Sequence, residues 1–352
     1  MNKTTGLLLG TLTAAVMSST ALAETTLTIS TWAGPNHGIN SMVWPAWGAW
    51  IEEATEGRVK VDVVHDLGPP VAQMEIIADG IADATWIFHG YNAGRFELTK
   101  LPEFPTFEDF SSENASAAYW RTHQEYLAKA GEHRGVDVVA AGVHGPGWIF
   151  TSDKVETLDE LEGKRIRVGG GVMGDLSEAL DLTGVALPPT GVYEAGSQGV
   201  IDGAMLVPEG LRSFRVAEIF PHTLKVDGGF YRGSFTIAMN PMFWDRISPE
   251  DREAIESVSG ERLSRLFGYM MDTMDVRGVE FAEELGHTFT ELGEEDLEHL
   301  RGVSDEMIAE WADKATESRG VDAMEAIEFF REQLAVAAEE ESVAPLVPDE
   351  YK

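Results

Sequence analysis

The segment Leu27-Thr28-Ile29-Ser30 alternates apolar and polar positions and is rich in β-branched side chains, which predicts a first strand running into Trp32-Ala33-Gly34-Pro35. A helix follows over residues 41–55, closed by Gly57, then an alternating strand at 59–63, a short helix at 73–80 and a strand at 84–88. Strands and helices that alternate in this way predict an α/β domain with a largely parallel sheet. Further on, the pattern predicts a helix over 114–130, a buried strand at 136–143, and strands at 149–151 and 165–168, the second preceded by a short helix at 157–162. Helices at 173–182 and 193–199 and strands at 204–207 and 235–239 complete the middle of the chain.

Ser248-Pro249-Glu250-Asp251 is a strong helix start, with a capping hydroxyl, Pro at the first position and acids at the positive end of the dipole. Apolar residues then recur at Ile255, Val258, Leu263, Leu266, Phe267, Met270, Met271 and Met274. Continued to Leu285, before Gly286, this pattern predicts about 50 Å of helix at 1.5 Å per residue, long enough to brace two lobes. Residues 296–341 read as acidic amphipathic helix. Without an internal repeat or a low-complexity linker, the lobes are expected to be joined by crossing strands.

The first 23 residues carry a different signal. Lys3, an apolar run around Leu7, Leu8, Leu9, Leu12, Ala14, Ala15 and Val16, and Ala21-Leu22-Ala23 form the pattern of an export signal cleaved before Glu24. The run is too short to span a membrane. The expected location is the periplasm, where a cofactor confined to the cytosol is implausible.

Composition narrows the function. The 352 residues contain 60 Asp+Glu against 26 Lys+Arg, a net charge of -34, which excludes a nucleic-acid partner and direct binding to anionic lipid. Zero cysteines exclude disulfides, thiolate metal sites and a Cys nucleophile. Length suggests two domains. Only 9 of the 26 basic residues are Lys, a surface suited to strong external salt.

The motifs with chemical content are few. Gly169-Gly170-Gly171-Val172-Met173-Gly174 has the G-x-G-x-x-G spacing after a strand and before a helix, but it sits mid-chain in an exported protein. It reads as a Gly turn, or as a helix N-terminus open to an anion. Arg167, two residues earlier, is either a fork for that anion or a surface ion pair. No H-E-x-x-H and no nucleophile elbow is present, so neither a metal site, nor a cofactor, nor an enzyme is expected. Aromatic residues gather at loop ends: Trp32, Phe88, His89 and Trp148 follow strands or lie at strand edges, with Tyr91 nearby. Ligands of open α/β sheets bind outside the carboxyl ends of strands.

Several pieces in order resemble a known family. Leu161-Glu162-Gly163-Lys164-Arg165-Ile166-Arg167-Val168, then Gly184 and Pro188, Tyr193-Glu194-Ala195 and Gly199-Val200-Ile201-Asp202-Gly203 are similar to the DctP-like solute-binding proteins of tripartite ATP-independent periplasmic (TRAP) transporters. So are Leu67-Gly68, Asp79-Gly80-Ile81-Ala82-Asp83, Asn240 and the helix start at Ser248, and the resemblance spans residues 24–335.

The resemblance implies a two-lobed α/β periplasmic binding protein with crossing strands and a long helix spanning both lobes. It also implies that the protein hands a small-molecule solute to TRAP membrane subunits. Its expected parts are a signal peptide at 1–23, lobe I at 24–147 plus about 237–275, lobe II at 148–236 plus about 276–335, and a C-terminal tail at 336–352. It makes Arg167 the clamp for a solute carboxylate.

The chain departs from the family pattern. Trp148 stands where a second Arg is common, Met205 and Leu206 replace the usual Glu and Asn, and Trp32 falls at a commonly polar position. The expected ligand-binding set is therefore Arg167, Trp148, Trp32, Phe88, His89, Tyr91 and Glu209. It suits a small amine or zwitterion, or an aromatic monocarboxylate, better than a dicarboxylate; the alternative is an ordinary acid site with the aromatics as core. The rival functions are the receptor of an ATP-driven importer and a secreted hydrolase.

Overall fold

A computed structural model describes residues 24–352; the expected signal peptide lies outside them. In chain order the strands are β1 Thr25–Thr31, β2 Val59–His65, β3 Ala84–Phe88, β4 Asp137–Val143, β5 Trp148–Thr151, β6 Arg165–Val168, β7 Thr183–Ala186, β8 Gly203–Leu206, β9 His222–Lys225, β10 Ser234–Met239 and β11 Thr288–Glu291. The helices are α1 Trp44–Ala54, α2 Gln73–Ala78, α3 Ser112–Glu125, α4 Val172–Ala179, α5 Val192–Ser197, α6 Glu209–Ser213, α7 Pro249–Ser257, α8 Glu261–Glu284, α9 Glu294–Arg319 and α10 Ala323–Ala338.

The strands form two sheets, one for each lobe, in the orders β2-β1-β3-β10-β4 and β11-β9-β5-β8-β6-β7. Each has one reversed strand. β10 runs antiparallel to β3 and β4, and β5 antiparallel to β8 and β9. These two strands are where the chain crosses between the lobes, so both sheets are mixed. The crossings pair with each other: the Gly147 N–H donates to Tyr231 O at 2.8 Å, and the Phe230 N–H donates to Gly147 O at 2.9 Å. A side chain at Gly147 would run into the Tyr231 ring, so glycine lets the two crossing segments touch.

The continuous helix expected from Pro249 to Leu285 is broken. Ser248 caps α7 through its hydroxyl as the sequence predicts, but the chain leaves the helix after Ser257 and restarts at Glu261. Gly260 has φ +61° and its N–H donates to Val139 O at 2.7 Å, a backbone state that glycine adopts without strain. The remaining 24 residues of α8 span about 36 Å. α8 holds both lobes by one repeated device. The Asp272 carboxylate accepts the Ser112 and Glu113 N–H groups at the start of α3, at 2.7 and 3.1 Å. Asp275 accepts the Glu209 N–H at the start of α6 at 2.7 Å. Gly268 and Gly278 leave room for the backbones of Ser112 and Pro208 at those same points.

Residues 336–352 also pack onto the protein. Val343 and Val347 are buried in the first lobe's core, the Trp50 indole N–H donates to Leu346 O at 3.0 Å, and the Val343 N–H donates to the Glu113 carboxylate at 2.6 Å.

Candidate functional site

Between the sheets lies a cavity lined from both lobes and from the crossing segments. Trp32, His37, Trp86, Phe88, Tyr91 and Phe235 come from the first lobe, and Arg167, Met173, Pro189, Leu206, Val207, Glu209 and Phe214 from the second. His144 and Tyr231 sit on the crossings and Met271 on α8. Its volume is ≈50 Å³. That is below the roughly 150 Å³ of an apolar cavity that accepts benzene, so a ring enters only as the lobes part.

Arg167 is the cation of this cavity. β6 alternates, so Ile166 and Val168 face the core while Arg165 and Arg167 face the other way. Arg165, at the exposed end, forms a bidentate pair with Asp202 at 2.9 and 2.6 Å. Arg167 is 1% exposed and has no carboxylate partner among the described residues. Its Nε donates to Leu187 O at 2.8 Å and one Nη to Met205 O at 2.9 Å. Two backbone carbonyls thus aim the fork and leave about three of its five N–H groups for another acceptor. A buried guanidinium without a counter-charge is costly, and an anion in the cavity removes that cost.

The walls are aromatic. Trp32 stacks on Trp86 with centroids 4.2 Å apart and planes 5° from parallel, and Trp86 stacks on Phe235 at 5.4 Å. Phe88 meets Tyr91 edge-on at 4.8 Å. The Tyr91 hydroxyl lies beside Arg167, although burial still pushes it up to about 12. The indole N–H groups of Trp32 and Trp86 and the Tyr231 hydroxyl have no protein partner among the described residues.

Two histidines and one carboxylate supply the remaining polarity. His144 is neutral, pushed down to about 3 by burial, and its Nδ1 lies 2.7 Å from Gly145 O. His37 Nδ1 accepts the Ile39 N–H at 3.1 Å, and burial lowers its pKa against the opposing pull of Glu209. The proton of this neutral ring is on Nε2, which lies 3.7 Å from Glu209 Oε1. Glu209 is 3% exposed.

The glycine loop does not hold an external anion. Its anion is internal: Glu103 Oε2 accepts the Val172 N–H at 2.9 Å at the start of α4, and Oε1 accepts the Ser234 hydroxyl at 2.6 Å. A side chain at Gly171 would strike that carboxylate. Burial pushes the Glu103 carboxyl up to about 7. Glu103 therefore ties β10 of one sheet to α4 of the other.

Five of the seven residues singled out from sequence line the cavity: Arg167, Trp32, Phe88, Tyr91 and Glu209. Trp148 and His89 do not. Trp148 shares its strand face with Phe150, packs against Phe289 at 6.1 Å and lies under the Lys225 ammonium at 5.7 Å. His89 lies behind the first sheet, with Nδ1 2.8 Å from Ser234 Oγ and Nε2 3.0 Å from His133 Nε2. Strand parity explains this. Trp86 and Phe88 face the cavity, Ile87 faces the opposite cluster with Phe96, and His89 follows Ile87 to within 4.5 Å of Phe96. The same parity rule would have chosen Trp86. His37, His144, Phe214 and Tyr231 lie on turns and crossings that no local pattern marks, whereas Phe235 stands on β10, a strand the sequence does mark.

A wider groove of ≈700 Å³ runs along Pro105–Phe110, α9 and α10, but among the described residues no buried unpaired cation converges on it. A cavity between two lobes, with one buried cation and aromatic walls, has the layout of a solute-receptor site. The chain belongs to the DctP family, bacterial extracellular solute-binding protein family 7, whose pattern matches residues 29–314. It is 29% identical over 333 residues to the outer membrane transporter protein TsaT of Comamonas testosteroni, covering 92% of this chain and 97% of that protein. Among solved structures it is similar to a TRAP periplasmic solute-binding protein of Bordetella bronchiseptica with bound (R)- and (S)-mandelate. There the TM-score is 0.85 at 31% identity, covering 88% of this chain and 99% of that one. A TRAP solute-binding protein of Rhodoferax ferrireducens in complex with benzoate matches with a TM-score of 0.83 at 25% identity, covering 89% and 98%. Among the described residues no helix is long and apolar enough to cross a membrane.

Proposed function

We propose that this protein is the periplasmic receptor of a TRAP transporter for aromatic monocarboxylates. The observation that carries the reading is Arg167, a buried cation without a counter-charge, set in a cavity walled by Trp32, Trp86, Phe88 and Phe235. One carboxylate neutralises the cation and one flat ring fills the space between aromatic faces, a stacking worth about 0.5–1.5 kcal/mol beyond its buried area. A dicarboxylate fits worse, because its second charge meets Glu209 and no further cation in the lining. The similar proteins that hold mandelate and benzoate support the same class.

Binding without turnover is part of the proposal, and the solute-binding family to which the chain belongs supports it. So are export through residues 1–23 with cleavage after Ala23, and delivery of the solute to TRAP membrane subunits. The crossings at His144–Gly147 and Phe230–Gly233 serve as the hinge. Calorimetric titration with benzoate, mandelate, succinate and a short alkylamine tests the reading. Benzoate or mandelate should bind most tightly and emerge unchanged. Tightest binding of succinate or the amine would overturn it.

A further inference from the structure

Glu209 is a buried carboxylate that accepts no hydrogen bond from any described residue, although its own backbone N–H is bound to Asp275. The nearest donor, His37 Nε2, stops at 3.7 Å, too far for a direct bond. The two groups thus face each other across a gap on the cavity wall, a donor on one side and an acceptor on the other. The Ile39 N–H fixes the tautomer by occupying His37 Nδ1, so Nε2 is the nitrogen that carries the proton. Phe214 and Trp86 hold the imidazole in place, with centroids at 5.7 and 5.1 Å.

We infer that the pair reads a hydroxyl group on the solute. A hydroxyl can accept from His37 Nε2 and donate to Glu209 at once, which satisfies both buried groups. An ammonium can donate to Glu209, but it has no lone pair for the imidazole N–H. A bare ring edge or a methyl leaves both unsatisfied. Resting on the aromatic-acid reading of the cavity, the inference makes the preferred solute a hydroxylated aromatic acid, with its carboxylate at Arg167 and its hydroxyl between His37 and Glu209. A pocket built to hydrogen-bond a solute hydroxyl rejects the analogue that lacks it far more strongly than an apolar pocket discriminates by size.

The test compares dissociation constants of the full-length mature protein for benzoate, the three hydroxybenzoates, mandelate and 4-(aminomethyl)benzoate, in wild type, Glu209→Gln and Glu209→Met. At least one hydroxylated acid should bind wild type tenfold or more tighter than benzoate. In Glu209→Met that ratio should fall to near one, whatever happens to the absolute affinities. Glu209→Gln, which keeps an acceptor oxygen of similar shape, should retain part of it, and it serves as the folded comparator if the Met variant melts early. Equal affinity of benzoate and every hydroxylated acid for wild type would overturn the inference and leave the aromatic-acid receptor standing. So would a preference that survives Glu209→Met. Tightest binding of the aminomethyl acid would assign the pair to a cation instead. Failure of every aromatic acid to bind would count against the receptor's proposed class itself.

Discussion

Replacing Arg167 by Met keeps the length and most of the volume of the buried stem and removes only the charged fork. The fork gives two N–H groups to Leu187 O and Met205 O, at 2.8 and 2.9 Å, and meets no carboxylate. Its remaining donors are those offered to the solute. Truncating one side of a buried, hydrogen-bonded charge pair costs roughly 2–5 kcal/mol, which is about 30- to 4,000-fold in affinity. In the unliganded protein the effects oppose: two carbonyls lose their donors at about 1–3 kcal/mol each, while a buried unpaired charge disappears. The melting temperature should therefore move much less than the affinity. Calorimetry with benzoate on wild type, Arg167→Met and Arg165→Ala reads this directly. Arg165 lies on the same strand and pairs with Asp202 at the surface, so its variant should bind within about twofold of wild type. Binding by Arg167→Met within about threefold of wild type would refute the clamp and leave Arg167 as a brace between β6, β8 and the Leu187 turn.

Glu103 should make stability depend on pH. Its carboxyl is raised on folding from 4.5 to about 7 by burial, so the folded state binds the extra proton between those values, and stability falls as pH rises through that window, by up to about 3 kcal/mol. Glu103→Gln should gain melting temperature relative to wild type from pH 5 to 7.5, and a constant difference would contradict the assignment. Gly278→Ala would drive a methyl into Pro208 O, so it should lower the melting temperature by several degrees, read by calorimetry against an exposed glycine such as Gly302→Ala. Because a ring enters only as the lobes part, the unliganded protein should also populate a more open form, and saturating solute should reduce the radius of gyration in small-angle scattering; an unchanged radius would argue for a rigid pocket. Intact mass of the exported protein should correspond to a chain starting at Glu24, and a retained Met1 would count against export.

The sequence was most informative where one period dominates a segment. β3, β6 and β10 appear within one residue of where alternation and β-branched content put them, β1 begins two residues before its predicted start, and Ser248 caps its helix as its neighbours indicate. The four-residue strands β7, β9 and β11 escaped notice although β5, β6 and β8, of the same length, did not; β7 and β11 are largely solvent-exposed sheet edges, without the buried apolar positions that mark the others. The break at Gly260 coincides with a phase slip, since Val258 and Leu263, five residues apart, would point about 140° apart on a continuous helix. Arg167 could be found from its motif, but its lack of a partner could not, since the partners of a buried group are set by tertiary packing. The acidic composition likewise concealed that three carboxylates, Glu103, Asp272 and Asp275, hold helix N-termini inside the protein. Trp148 opens β5 and shares a face with Phe150, so strand parity turns its indole away from the cavity.

The most direct test of the receptor account is a crystal structure of the mature protein grown with benzoate and, separately, with the tightest hydroxybenzoate. The account predicts closed lobes, the carboxylate in a two-point contact with the free N–H groups of Arg167, and the ring packed against the aromatic wall that Trp32, Trp86 and Phe235 form. A carboxylate bound away from Arg167, or a ring bound outside the cavity between the two sheets, would contradict it.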